Sequence, residues 1–99
     1  GKQRVPSLPD LPTIAEQGYP GFAAVSWNAI SAPAGTPKAI VDKLQQHIRD
    51  ALHAPDMKDK LLANGFVPQG IPAEEFHKFV VSEVDKWTKV AKDSGAKVD

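Results

Sequence analysis

The 99 residues carry twelve basic and twelve acidic side chains and no net charge, which argues against nucleic-acid binding, where a basic surface supplies most of the affinity. The absence of cysteine removes thiolate metal sites, disulfides and cysteine nucleophiles together. A chain of this size makes one small domain or one part of a larger one, and no run approaches the ~18 apolar residues of a membrane span.

Prolines crowd the first third. The opening "GKQRVPSLPDLP" has neither helical nor strand periodicity, and its three prolines fix φ and remove donors, so it reads as extended surface chain. In "PTIAEQG", Thr13 and Glu16 have the spacing at which each satisfies the other's backbone N–H, and Gly18 suits the left-handed position that ends a helix. That pattern predicts about one helical turn, Ile14 to Gln17. "YPGF" then reads as a turn around Pro20 and Gly21.

The stretch "AAVSWNAIS" follows. Val25, Trp27 and Ala29 share one face and Ser26 and Asn28 the other, the alternation of a strand at about 23–32. A lone buried strand leaves donors and acceptors unpaired, at about 1–3 kcal/mol for each. The chain offers few other candidates, so its partner strands are expected outside these residues, in the rest of a longer protein or in a second copy.

Thr36 as N-cap and Pro37 at the first helical position predict a helix over 37–53 with Ile40, Val41, Leu44, Ile48, Ala51 and Leu52 on one face. Pro55 restarts a shorter helix over 55–64 carrying Met57, Leu61 and Leu62, closed by Asn64 and Gly65. "FVPQG" is at most a very short strand, since Pro68 cannot donate to a ladder. Pro72, Glu74 and Glu75 open a last helix over 72–94, with the carboxylates at its positive end. Its expected buried face is Phe76, Phe79, Val80, Val84, Trp87, Val90 and Ala91, and Gly95 stops it.

Reactive constellations are scarce. His47, His53 and His77 lack metal-ligand spacing, so no metal is expected. Asp10 reads as a turn residue and Glu74-Glu75 as partners of the helix dipole. No triad or glycine-rich phosphate loop can be placed, and neither an enzyme nor a cofactor is expected. The helix over 37–53 carries Lys38, Lys43 and Arg49 offset by Asp42 and Asp50, which sets aside a DNA-recognition helix.

The ordered motifs "SLPDLPTIAEQGYPGF" and "SWNAISAPAGTPKAIVDKL" resemble the C-terminal third of the substrate-binding receptors of tripartite tricarboxylate transporters, also called Bug proteins. The matching positions are Leu8 to Thr13, Ala15, Glu16, Gly18, Trp27 and Ala32 to Pro37, and "EEFHKFVVSEVDKWTKVAKDSG" looks like the family's final helix. The sequence departs from the family at Asn28-Ala29, where many relatives have a glycine after the tryptophan's neighbour. The resemblance implies an α/β fold, the C-terminal part of a two-domain periplasmic-binding-protein-like architecture. Residues 1–22 would be a proline-rich crossover, and 23–99 would return to the first domain. It also implies a periplasmic location, a small organic carboxylate as ligand and membrane transporter subunits as partners.

Within that frame Trp27 and Asn28 would lie at the cleft, the indole stacking on a ligand and the amide bonding a carboxylate. The plainer reading makes Trp27 a core anchor and Asn28 a strand-edge residue. Gly35 and Thr36 would present helix-terminal amides to an anion, or simply cap the helix. Two further readings stand beside the receptor fragment: a self-contained helical module that docks a partner, and a homodimer formed by strand pairing or exchange.

Overall fold

Turn chemistry shapes the first third of the chain. The Leu8 N–H donates to the Val5 carbonyl at 2.9 Å and the Leu11 N–H to that of Leu8 at 3.1 Å. Pro6 and Pro9 occupy the second position of each turn, where a fixed φ is favoured. The opening is therefore two successive turns, not the extended chain expected. In the computed structural model, which describes residues 1–97, these turns lead into a one-turn 3-10 helix, Ala15–Gln17. Its reciprocal cap is formed as the spacing predicts. The Thr13 N–H donates to Glu16 Oε2 at 2.7 Å and the Glu16 N–H to Thr13 Oγ1 at 3.2 Å.

From Phe22 to Pro33 the backbone has no helix, turn, bend or bridge. No backbone N–H between Ala23 and Ala32 donates to another backbone group among the described residues. The strand expected at 23–32 is thus corrected to an unpaired run, and among the described residues there is no β-strand at all. The physical reason is that alternation is local whereas a ladder needs a second strand. The short "FVPQG" segment is likewise not a strand.

Three helices make up the remainder: α1, Lys38–His53; α2, Pro55–Ala63; and α3, Ala73–Ser94. The expected cap of α1 is corrected. The N-cap is Pro37 and makes no side-chain cap, while the Thr36 hydroxyl donates to the Pro33 carbonyl at 2.7 Å. Gly35, at φ +82°, closes the turn Pro33–Thr36 and brings that carbonyl within the hydroxyl's reach. The break between α1 and α2 follows from Pro55, which pushes the preceding residue out of the helical region. Ala54 sits at φ −60°, ψ 134°. At the end of α2 the Gly65 N–H donates to the Leu62 carbonyl and the Phe66 N–H to that of Leu61, the paired bonds of a Schellman cap. Gly95 ends α3 through the same pattern, to Lys92 and Ala91.

α1 contacts both α2 and α3. The loop before α3 lies on α1: Gln45 Nε2 donates to the Gly70 carbonyl at 2.9 Å. A Cβ at Gly70 would stand 3.2–3.3 Å from Arg49. Trp27 lies on α3 between Phe76 and Phe79. The apolar faces predicted for α1 and α3 are only partly covered. Val41, Ile48, Leu52, Phe76, Phe79 and Val80 are half-buried, but Ile40, Leu44, Val84 and Val90 are exposed, and no hydrophobic residue is fully buried among those described.

The exposed surface is 8406 Å², against about 5,500 Å² for a compact protein of this mass. The radius of gyration is 16.5 Å, against about 13 Å for a compact domain of this length. The helices are in place, but their apolar faces are left largely uncovered among the described residues.

Candidate functional site

Trp27 meets Phe76 with ring centroids 5.6 Å apart at 81° and Phe79 at 5.5 Å and 72°. Both are edge-to-face arrangements, in which the positive ring edge meets the negative face of its neighbour. The helix presents Phe76 and Phe79 together because residues three apart share a face. The indole is held, yet 43% of the residue stays exposed. Asn28, next along the run, is exposed, and its side-chain amide bonds to no group among the described residues.

Gly35 and Thr36 lie in the separate turn before α1. The Thr36 N–H and hydroxyl both point back to the Pro33 carbonyl, at 3.2 and 2.7 Å. No ring contact or hydrogen bond among the described residues joins the Trp27-Asn28 pair to the Gly35-Thr36 pair. Two shallow depressions elsewhere, one against Leu62 and Phe66 and one between Arg4 and Pro20, contain none of the four.

Beside the aromatic cluster stands a polar hub that sequence reasoning missed. Glu83 is the one buried residue among those described, 8% exposed. Its Oε2 accepts from Trp87 Nε1 at 2.8 Å and its Oε1 from Lys86 Nζ at 2.6 Å. Lys86 Nζ also donates to the Ala23 carbonyl at 3.0 Å and lies 5.3 Å from the Trp87 ring centroid. The Lys86 bond first and the Trp87 N–H second hold the Glu83 carboxyl below the usual carboxylate range, against the opposing effect of burial. A signal was present: Glu83 interrupts the apolar stripe of α3 between Val80 and Trp87, with Lys86 and Trp87 three and four residues on.

His53 Nδ1 is 2.9 Å from the Arg49 carbonyl of its own helix. Among the described residues no group of three His, Cys, Asp or Glu side chains is placed to hold a metal. No described helix is long and apolar enough to cross a membrane.

With this geometry established, comparison with known proteins gives the class. The model of the tripartite tricarboxylate transporter family receptors matches residues 1–96, and the chain belongs to that family. It is similar to Protein BugT of Bordetella pertussis, 35% identical over 91 residues, covering 92% of this chain and 28% of that protein. A UPF0065 protein of Pseudomonas sp. (strain P51) is 39% identical over 88 residues, covering 88% of this chain and 26% of the relative. A UPF0065 protein of Agrobacterium vitis is 35% identical over 98 residues, covering 95% and 28%. The chain thus spans less than a third of the length of these curated relatives. No solved structure matches it.

Proposed function

We propose that these residues are the C-terminal part of a periplasmic receptor that captures a small organic carboxylate and hands it to the membrane subunits of a tripartite transporter. The supporting observation is a family match across residues 1–96 in a chain that spans only 28% of its BugT relative. The unpaired run at Phe22 to Pro33 and the uncovered faces of α1 and α3 support it physically. They are the surfaces onto which the rest of such a receptor would fold.

The chemistry is binding and release. Two lobes close on the anion, and water is replaced by preorganised amides and polar side chains. In this reading the chain forms scaffold and part of one cleft wall. Trp27 offers a partly open indole face, Asn28 an unspent amide, and Gly35 and Thr36 the approach to the N-terminus of α1.

The test is to express the chain together with the coding sequence upstream of Gly1. Citrate, succinate, glutamate and nicotinate are then titrated by calorimetry and thermal shift. The expected result is one-to-one binding of at least one acid. A ligand at a hundred times its Kd stabilises by about 2.7 kcal/mol, visible as a raised Tm. Absence of an upstream reading frame, together with a monomeric and cooperative 99-residue chain, would replace the receptor with the self-contained helical module. A strand-paired dimer would point to the second copy instead.

A further inference from the structure

We propose that Lys86, held in place by Glu83, is a positioning residue that sets the direction of the Trp27-bearing run along α3. Two contacts dock that run, beside a weaker approach of the Trp27 side chain to the Glu83 carboxylate. At one end the Trp27 ring rests on Phe76 and Phe79; at the other the Ala23 carbonyl accepts from Lys86. Chain order is opposite in the two elements, so the run lies antiparallel to α3.

The lengths agree. If extended, the four residues from Ala23 to Trp27 would cover about 13 Å at about 3.3 Å each. Along α3 the distance from Lys86 back to the midpoint of Phe76 and Phe79 is also about 13 Å, at about 1.5 Å per residue. The run is therefore laid along the helix in one register.

The aromatic contact alone would leave the run free to pivot about Trp27, because ring packing fixes a place more firmly than a direction. Lys86 supplies the second point. An unpaired lysine on a flexible stem would not hold a backbone carbonyl in one geometry. Here the ammonium is fixed by Glu83 Oε1 at 2.6 Å and by the Trp87 ring, and Glu83 is itself fixed by Trp87 Nε1. With both ends held, the direction in which Asn28 leaves the helix surface is set too. Only the description of Asn28 as cleft wall rests on the receptor reading.

NMR of the labelled chain, expressed together with any coding sequence upstream of Gly1, tests the assignment through nuclear Overhauser contacts from Ala23 to α3 and from Trp27 to Phe76 and Phe79. Wild type shows both sets. Lys86→Met loses at least half the intensity of the Ala23 set while α3 stays helical and Trp27 remains near the two rings. Lys86→Arg, which keeps a cation and a donor, restores the Ala23 set. Lys89→Met, which removes a surface pair with Asp93, changes neither.

If Lys86→Met unfolds α3, Glu83→Gln decides, since its amide oxygen still accepts from Trp87. Release of Ala23 with α3 intact upholds the assignment, and an undisturbed Ala23 overturns it. Absence of the Ala23 contacts in wild type, or their persistence in Lys86→Met, overturns it as well. Carboxylate binding does not enter this readout, so the receptor reading stands or falls separately.

Discussion

Arg4 and Glu16 anchor a part of the chain that has almost no regular structure. The guanidinium meets the carboxylate through two nitrogens, Nε at 3.0 Å from Oε2 and Nη2 at 2.8 Å from Oε1, and Nη1 donates to the Pro9 carbonyl. One side chain thereby joins the first residues, the second turn and the 3-10 helix. The Arg4 bond, with the Thr13 N–H second, pulls the Glu16 carboxyl down from 4.5 to about 2. A lowered folded pKa means that the stabilisation is fully present above the ordinary value near 4.5. It is lost as pH falls through about 2. The pair is well exposed, so its weight in stability is small. Side-chain NMR titration should place Glu16 well below the ordinary carboxylate value of 4.5. In Arg4→Ala it should move up, yet stay below that value because Thr13 still donates. A Glu16 that titrates at the ordinary value in wild type would show that the fork is not formed. The Thr13–Glu16 half of this arrangement was legible from their spacing, while Arg4 was not, because nothing local links residues twelve apart.

Among the elements, the helices follow their local signals closely. Their ends fall within one residue of the boundaries read from proline, glycine and apolar period, because each signal acts within a turn of the residue that carries it. Thr36 shows the limit of such reading: a hydroxyl before Pro37 suits a cap, but the turn made by Gly35 gave it the nearer Pro33 carbonyl. Trp87 shows another. It lies on the predicted stripe, yet its indole N–H serves Glu83. Two glycines separate conformational strain from close approach. Gly65 and Gly70 both have positive φ, at 79° and 62°. A Cβ at Gly65 meets nothing within 4 Å, whereas one at Gly70 meets Arg49, including its Cα at 3.3 Å. Gly65→Ala should therefore cost about 1–2 kcal/mol of left-handed strain. Gly70→Ala should add about 1–3 kcal/mol, because the loop is forced off α1. Urea titration followed by circular dichroism at 222 nm should show the larger midpoint shift for Gly70→Ala. Equal shifts would mean that the loop is not held against α1.

At the scale of the whole molecule, the contrast is between well-specified helices and the apolar faces they leave uncovered. Large hydrophobic side chains stay half open, Ile30 at 77% and Val84 at 58% among them, and the surplus surface is about 2,900 Å² over a compact chain of this mass. An area of that size is typical of obligate interfaces. This is why the unpaired run could not be resolved from sequence: its alternation is written in Val25, Trp27 and Ala29, but a ladder needs a second strand, and none stands among the described residues. It also makes a prediction about the isolated chain. Cooperative unfolding requires surface that is hidden when folded and exposed when unfolded, and the denaturant slope scales with that difference. The 99-residue chain should bind ANS and unfold with a slope well under the ~1–3 kcal/mol/M in urea of compact small domains, with no sharp calorimetric peak. Expressed as part of a full-length receptor, as proposed above, it should lose the dye and unfold in one steep transition. A solitary monomer that excludes the dye and melts sharply would mean that the exposed faces close on one another in solution, and the case for a missing layer would fall with them.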